Sequence, residues 1–354
     1  MFLELSFVGF FSCSSLFLMR KFAKSVGLVD KPNSRKLHSG AVPLVGGISI
    51  CLSIGQFIAS NPDVIAHSYL FLSCITTLVI VGALDDKFDL SFKLRLIIQA
   101  LLSIIMMYFA DLRLENIGDI FGIGAISLGV LSPLITIFAV IGAINAFNMV
   151  DGIDGLLGGL SIVTFAGIAV LLQVESQHGL AYLCVVFITA IIPYILMNLG
   201  ILGRKRKVFM GDAGSMMIGF TVIWLLLGAS QEEGSFLMRP ITALWLIAIP
   251  LMDMAAIMFR RIRRGDSPFK PDREHLHHIF QRLGFTSRQT LAIICIVASF
   301  FAGFGIYGEL SKIKESTMFI LFMISFIGYS VGMCYVWKIT SWMRNLRGLP
   351  EKKY

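Results

Sequence analysis

Carboxylate side chains cluster at several places where an apolar segment of the 354-residue chain begins or ends. The first cluster, Asp85-Asp86-Lys87-Phe88-Asp89, ends one such segment. If helical turns continue through it, Asp89 lies four residues from Asp85 and three from Asp86, so the three carboxylates can share a face. Carboxylates at a helix C-terminus oppose the helix dipole. Two of them side by side therefore favour a functional role over a merely solvated helix end.

A second cluster places polar side chains at every third residue. Asn145, Asn148, Asp151 and Asp154 follow one another at the end of an apolar segment, with glycines after both aspartates. Polar residues at membrane depth are costly and usually mark a site or a pathway. The glycines let the backbone break, so that the two carboxylates can be aimed separately.

The third cluster opens an apolar segment directly after the basic run 204–207. Residues 211–215 read Gly-Asp-Ala-Gly-Ser, and a helix N-terminus of this kind is receptive to phosphate, although Asp212 alone could be a helix cap. Glycine-flanked starts recur at 43–47 and 155–159. Three such N-termini predict a shared anionic ligand, while the spacing in 155–159 is equally typical of close helix packing.

The fourth cluster lies in the basic segment 259–289 and combines arginine with three closely spaced histidines. Its candidate residues are Arg273, His275, His277 and His278. No cysteine or second cluster accompanies them, so contacts to phosphate or sugar hydroxyls are favoured over zinc. Asp253 is expected to pair with an arginine within 260–264.

The elements that position these clusters are membrane spans. Apolar residues make up 56% of the chain and charged residues 15%, with mean hydropathy +0.81, whereas soluble proteins carry about 25% charged residues. A secreted domain, a DNA-binding domain and a soluble dinucleotide-binding enzyme are thereby excluded. The sequence predicts an all-α polytopic bundle of about eleven spans, with 1–354 as a single integral membrane catalytic domain. The apolar runs lie near 2–19, 43–60, 68–84, 95–110, 130–148, 157–174, 180–198, 213–230, 240–258, 290–307 and 317–337.

The distribution of basic residues predicts the orientation. With the loop 20–42 in the cytoplasm, all but four of the 30 Lys and Arg fall on the cytoplasmic side, as the positive-inside rule requires. The net charge of +8 therefore indicates a membrane protein with no nucleic-acid partner. The N-terminus is expected in the periplasm and the C-terminus in the cytoplasm. The loops expected to carry the active site in the cytoplasm are 20–42, 85–95, 149–156, 199–212 and 259–289.

Carboxylates beside phosphate-receptive helix ends favour a hard divalent cation, Mg²⁺ or Mn²⁺. Residue chemistry thus reaches a metal-dependent phosphoryl-type transfer with one lipid-soluble partner, and it does not specify the sugar or the lipid. A secondary transporter is an alternative, but its polar residues should lie near mid-membrane and reach both faces. A non-catalytic scaffold would not need the acidic clusters.

Five blocks, in order along the chain, resemble the polyprenyl-phosphate N-acetylhexosamine-1-phosphate transferase superfamily: 42–47, 83–89, 145–159, 209–215 and 272–278. Segments 30–33 and 249–254 resemble its undecaprenyl-phosphate N-acetylglucosaminyl branch, from the inner membrane of Gram-negative bacteria. The resemblance implies transfer of GlcNAc-1-phosphate from UDP-GlcNAc to undecaprenyl phosphate, with release of UMP. This is the first lipid-linked step of O-antigen or enterobacterial common antigen synthesis. The phospho-MurNAc-pentapeptide transferases of peptidoglycan synthesis, in the same superfamily, are the alternative.

The resemblance also implies roles for individual residues. Asp212 and Asn148 would hold Mg²⁺, or Mn²⁺ in its place, at the donor pyrophosphate. Asp85 would position or deprotonate the lipid phosphate beside Asp86, while Asp151 and Asp154 would hold the nucleotide or help the metal. The remaining residues expected to bind substrate are Asn145, Gly211, Ser215, Arg273, His275, His277 and His278. A homodimer and the choice between direct attack and an aspartyl-phosphate intermediate stay open, with direct attack favoured.

Overall fold

The computed structural model describes residues 1–31, 40–231, 238–268 and 274–346, and most of these residues are helical. The α-helices are α1 (Phe2–Val26), α2 (Gly46–Ser60), α3 (Ser68–Phe88), α4 (Phe92–Ala110), α5 (Ser132–Met149), α6 (Leu156–Val174), α7 (His178–Asn198), α8 (Gly211–Ser230), α9 (Pro240–Leu246), α10 (Ala248–Arg263), α11 (Leu276–Arg282), α12 (Ser287–Leu310), α13 (Glu315–Cys334) and α14 (Val336–Leu346). Two short strands, β1 (Val29–Asp30) and β2 (Val42–Pro43), pair antiparallel. The predominantly helical architecture agrees with the predicted all-α class.

Within the described residues, nine helices are long and apolar enough to cross a membrane, and the count rises to ten if the bent pair α9–α10 is one span. The predicted count was about eleven. The apolar run 43–60 folds as the 15-residue helix α2, which at 1.5 Å per residue is about 22 Å long. It is shorter than the roughly 30 Å hydrocarbon core of a bilayer, and it is therefore a shorter apolar helix outside the count of nine.

The predicted span 240–258 is broken rather than straight. Its two halves, α9 and α10, meet at an angle of 82°. Pro250 explains the break, because proline has no N–H to bond the carbonyl of Leu246 and its ring collides with that carbonyl in a continuous helix. The hydroxyl of Thr164 donates to the Leu246 carbonyl over 3.2 Å. The carbonyl left without its helical N–H partner at the break is therefore hydrogen-bonded by a neighbouring helix.

Helix α8 is the centre of the bundle, where it packs against α2, α3 and α5. All of its residues are buried except Asp212 and Gly228, as expected of a helix that is apolar on every side. Close approach depends on glycine. A Cβ on Gly47 would lie 2.1 Å from the backbone nitrogen of Gly214, and one on Gly82 would lie 2.3 Å from that of Ala213. The small residues thus bring α2 and α3 against the first turn of α8.

The helix ends gather into two charged regions. One, called the site end, contains Asp85, Asp86, Asp151 and Asp212. The other, called the opposite end, contains Asp119, Arg239, Glu309 and Glu315. Between the two ends, α4, α12 and α13 expose apolar side chains such as Ile97, Phe300 and Ile324. An apolar exterior between two polar ends is typical of a polytopic membrane protein.

Candidate active site

Arg95 joins the first and third acidic clusters. Its Nη1 lies 2.5 Å from Oδ2 of Asp85 and 3.1 Å from Oδ2 of Asp212. The local sequence explains its place, because Ser91 caps the start of α4 through the backbone N–H of Leu94. Helix α4 then turns back along α3 and presents Arg95 one turn later. A single cation is therefore shared by carboxylates from two helices.

Asp86 caps the N-terminus of α8 from outside that helix. Its Oδ1 accepts the backbone N–H of Asp212 over 3.1 Å, while its buried Oδ2 has no partner in the described structure. Gly211 makes room for this contact, since a Cβ there would lie 2.3 Å from Oδ2 of Asp86, and its φ of +75° favours glycine. Asp212 is consequently not the cap, and its carboxylate is free to face Arg95 and α5.

The polar side chains of α5 contact two different groups of residues. Nδ2 of Asn148 donates to Oδ1 of Asp212 and to Oγ of Ser215, each over 2.8 Å. Asn145, one turn deeper, instead donates to Oε1 of Gln99 over 3.0 Å. The structure therefore brings Asn148 and Ser215 to Asp212 and places Asn145 behind them, inside the bundle.

The loop between α5 and α6 carries the other two predicted aspartates. Asp154 pairs with Lys207, whose Nζ lies 2.6 Å from Oδ2. Asp151 is held among negative charges, and burial together with Asp212 and Asp154 raises its pKa from 3.8 to about 7. Gly155 closes the loop with a φ of +79°. The site end is thus strongly acidic around Asp151 and neutralised at Asp154.

The histidine segment packs on this same loop. His277 is buried against Gly152, where a Cβ would lie 2.0 Å from its Nε2. That Nε2 has no hydrogen-bond partner in the described structure, and burial together with His278 and His275 holds the pKa of His277 well below 6.5. The ring of His278 lies 4.2 Å from that of His277. Arg273 falls outside the described residues.

Two expectations from the sequence need correction. Asp89 does not share a face with Asp85, because α3 ends at Phe88 and Asp89 turns away exposed, with a φ of +53°. Asp253 does not pair with any of the arginines within 260–264, all of which the structure describes. Its carboxylate bonds His275 and Tyr329.

A further expectation concerns the helix N-termini as phosphate sites. The first amides of α2 are already occupied, because Gly46 N donates to the Phe209 carbonyl and Gly47 N to the Met210 carbonyl. In α8, the amide of Asp212 serves Asp86. The glycines at 43–47 and 211–215 therefore contribute to helix packing and capping, and phosphate binding at these helix N-termini stays a prediction.

Sequence reasoning missed the residues that join the clusters. Arg95 and Lys207 were read only as basic residues of cytoplasmic loops, and Gln99 and Tyr329 were not singled out. A glutamine or an arginine inside an apolar run is a signal that could have identified Gln99 and Arg95. Tyrosine is common in membrane helices, so nothing in the sequence distinguished Tyr329.

The oxygen atoms around Asp212 suit a hard cation. Asp212 offers a carboxylate, Ser215 a hydroxyl, and a half-turn of the Asn148 amide would present its Oδ1. Arg95 shows that positive charge is already drawn to the space between Asp85 and Asp212. The described residues contain no group of three His, Cys, Asp or Glu side chains spaced to hold an ion by themselves. A metal here would need substrate or water oxygens to complete its shell, as Mg²⁺ usually does.

Comparison with known proteins identifies the family. Residues 68–230 match the family model for glycosyl transferase family 4. The chain is 50% identical over 345 residues to the undecaprenyl-phosphate alpha-N-acetylglucosaminyl 1-phosphate transferase of Escherichia coli O157:H7, covering 97% of this chain and 94% of that one. The Yersinia pestis enzyme of the same name is 50% identical over 346 residues, with the same coverage. The Haemophilus influenzae enzyme is 48% identical over 343 residues, covering 97% and 96%. On this similarity, the chain belongs to glycosyl transferase family 4.

Proposed function

We propose that the protein transfers N-acetylglucosamine 1-phosphate from UDP-GlcNAc to undecaprenyl phosphate, forming undecaprenyl-diphospho-GlcNAc and UMP. The observation that carries the proposal is that Asp85 and Asp212 share Arg95 at one end of the bundle, while Asn148, from a third helix, donates to Asp212. Two facing phosphates need such a place, because their mutual repulsion must be screened while they are aligned. The relatives' printed name supplies the lipid and the sugar phosphate.

The reaction joins two phosphates and breaks one phosphoanhydride. An oxygen of the acceptor phosphate attacks the β-phosphorus of the donor. The bond from that phosphorus to the oxygen bridging to the α-phosphate breaks, and UMP leaves with the electron pair. Because the nucleophile is already an anion, catalysis consists mainly of alignment and charge screening. Direct attack needs no covalent intermediate on an aspartate.

Asp85 and Arg95 handle the acceptor in this proposal. Asp85 holds the guanidinium of Arg95 at the edge of the acidic cluster, where it can pair with the lipid phosphate. When that phosphate arrives with a proton, the carboxylate of Asp85 accepts it. Asp86 acts indirectly, by capping α8 and so fixing the direction of Asp212.

Asp212, Asn148 and Ser215 would hold Mg²⁺ or Mn²⁺ on the donor side. When bound, the ion supplies positive charge that screens the pyrophosphate and stabilises the leaving phosphate. Lys207, held by Asp154, lies next to the loop of Asp151 and provides a second cation for the nucleotide. His275, His277 and His278 then face the sugar and its phosphates.

The membrane arrangement follows from the same substrates. UDP-GlcNAc is cytosolic, so the site end faces the cytoplasm of a bacterial inner membrane, with the N-terminus in the periplasm and the C-terminus inside. The basic residues support this orientation, because the four outside the cytoplasmic loops are Arg113, Arg239, Lys312 and Lys314. A polyprenyl tail can remain in lipid while its phosphate reaches the helix ends. The homodimer stays a prediction.

The experiment uses UDP-GlcNAc labelled with ³²P at the β-phosphate and with ¹⁴C in the sugar. Purified protein with undecaprenyl phosphate should carry both labels in equal amounts into a butanol-extractable lipid and release unlabelled UMP. Transfer of ¹⁴C alone, with labelled UDP released, would contradict the proposal and indicate a sugar transferase. Preference for UDP-MurNAc-pentapeptide would support the peptidoglycan reaction instead.

A further inference from the structure

A buried carboxylate outside the acidic cluster holds the histidine segment in place. Asp253, in α10, is 1% exposed. Its Oδ2 lies 2.8 Å from Nδ1 of His275. Its Oδ1 accepts the backbone N–H of Leu276 over 3.1 Å and the hydroxyl of Tyr329 over 2.6 Å. One carboxylate thus bonds three donors from the start of α11 and from α13.

Burial of this carboxylate costs free energy, and its hydrogen bonds to specific donors offset that cost. A buried carboxylate is strongly unfavourable unless hydrogen bonds satisfy it, and here both oxygens are satisfied. Glu274, the residue before His275, pairs with Nη2 of Arg260 in α10 at 2.8 Å and with Nη1 of Arg264, just after α10, at 2.9 Å. Two successive residues at the start of α11 are therefore bonded to α10.

The bond to Asp253 also selects the tautomer of His275. A carboxylate accepts, so Nδ1 of His275 carries the proton and Nε2 of the neutral ring is left as an acceptor. The ring of His275 lies parallel to that of His277, with centroids 5.6 Å apart. His277 in turn packs on Gly152, beside Asp151. Contacts therefore run from Tyr329 through Asp253 and His275 to the loop that carries Asp151.

We propose that Asp253 and Tyr329 are positioning residues that fix the orientation and tautomer of His275 for binding of the nucleotide-sugar donor. The assignment of a donor to this segment rests on the proposed function. Neither residue touches the reacting atoms. Their effect is expected on the KM for UDP-GlcNAc, with the KM for undecaprenyl phosphate and kcat little changed.

The first test needs no substrate and is therefore independent of the proposed function. In full-length protein labelled with ¹⁵N-histidine, His275 at pH 8 should show a protonated Nδ1 and an unprotonated Nε2, assigned through the signal lost in His275→Ala. Asp253→Asn, which can donate in place of accepting, should move the proton to Nε2. An unchanged tautomer in Asp253→Asn would overturn the proposal.

The second test separates positioning from folding. Tyr329→Phe removes one hydroxyl and should raise the KM for UDP-GlcNAc about 3- to 10-fold, the scale of one typical hydrogen bond. Asp253→Asn should raise it about 10- to 100-fold, the usual effect of removing the carboxylate that orients a functional histidine. Tyr307→Phe, at an exposed position of α12, is the matched control and should leave both KM values within about 2-fold.

A double-mutant comparison decides whether the residues act through His275. In a His275→Ala background, Tyr329→Phe and Asp253→Asn should each change the donor KM by less than about 2-fold, because coupled residues are not additive. The same factors as in the wild-type background would overturn the proposal, as would equal rises in the KM for the lipid acceptor. If Asp253→Asn does not fold, Tyr329→Phe alone still gives both the KM comparison and the cycle.

Discussion

The two ends of the bundle use charged residues in opposite ways. At the opposite end, Arg239 donates to Glu309 over 2.9 Å and to the carbonyls of Gly308 and Ile313, while Glu309 also accepts the hydroxyl of Thr242. Both charges of the Arg239–Glu309 pair therefore face a partner of the other sign, and the remaining donors of Arg239 reach backbone carbonyls.

At the site end, carboxylates face one another. Asp85 and Asp212 share Arg95, one oxygen of Asp86 has no partner in the described structure, and the pKa of Asp151 is raised by its neighbours. Matched charges fix the path of a loop. Carboxylates that face one another raise the free energy of the empty site, and binding of a cation together with phosphates can lower it. The comparison therefore separates a structural network from a binding site.

Removal of divalent cations should have the largest effect, because it leaves those carboxylates and two phosphates unscreened. EDTA is expected to abolish transfer of labelled GlcNAc-phosphate into lipid, and Mg²⁺ or Mn²⁺ should restore it. The melting curve of the treated protein should remain cooperative, since the opposite end needs no ion. Full activity in EDTA would remove the distinction between the two ends.

Neutralising one carboxylate should come next. Asp212→Asn or Asp85→Asn keeps the side-chain size and should lower turnover by at least about 10²-fold, the scale of one strong electrostatic stabiliser. Glu309→Gln is the matched change at the opposite end and should keep turnover per folded molecule within about 2-fold. Comparable losses from Glu309→Gln would show that both ends serve the reaction.

A matched experiment on the opposite end measures the stability of the protein to thermal unfolding. Arg239→Gln breaks a half-buried ion pair, in which Arg239 is 20% exposed and Glu309 17%. The midpoint of thermal unfolding in detergent should fall by about 2–6 °C, as expected from losing charge-assisted hydrogen bonds. Asp212→Asn should leave the midpoint unchanged or raise it, because it relieves repulsion. A lower midpoint for Asp212→Asn would mean that the site end, too, is held together by its charges.

The smallest expected effect concerns pH. Because the folded-state pKa of Asp151 is about 7 against an ordinary 3.8, the folded protein binds this proton more tightly than the unfolded chain. The resulting stabilisation is fully present below about pH 4 and is lost as the pH rises through 7. Asp151→Asn should flatten this part of the stability curve by about 3 °C between pH 5 and 8. An identical slope in wild type and variant would contradict the crowding of negative charge at Asp151.

Local chemistry made the helical membrane class and the acidic helix ends of the candidate site predictable. Long apolar runs can hardly fold as anything but buried or membrane helices, and each acidic cluster was visible at a helix end. Chain breaks inside apolar runs were harder to see, because the bend at Ile247 depends on Pro250 and on a hydroxyl from α6. The length of α2 also depends on tertiary contacts, because β2 and the first turn of α8 fix the position at which α2 begins.

Contacts between segments that are distant along the chain could not be predicted from the sequence. Which helix caps α8, and which arginine reaches Asp85, depend on how α3, α4 and α8 pack, so Asp86 and Arg95 could not be assigned these contacts from spacing. The same holds for Asp253, whose partners come 22 and 76 residues later. Nearby arginines in the chain were a reasonable expectation, but the arginine at 260 is taken by Glu274.

The most direct test of the difference between the ends is Mn²⁺ binding followed by electron paramagnetic resonance, with UMP present. The account predicts one Mn²⁺ per chain in the wild type and an unchanged affinity in Glu309→Gln. In Asp212→Asn the affinity should fall by at least about 10-fold. Equal Mn²⁺ affinity in Asp212→Asn and wild type, or loss of binding in Glu309→Gln, would contradict the claim that the carboxylates of the site end hold the metal.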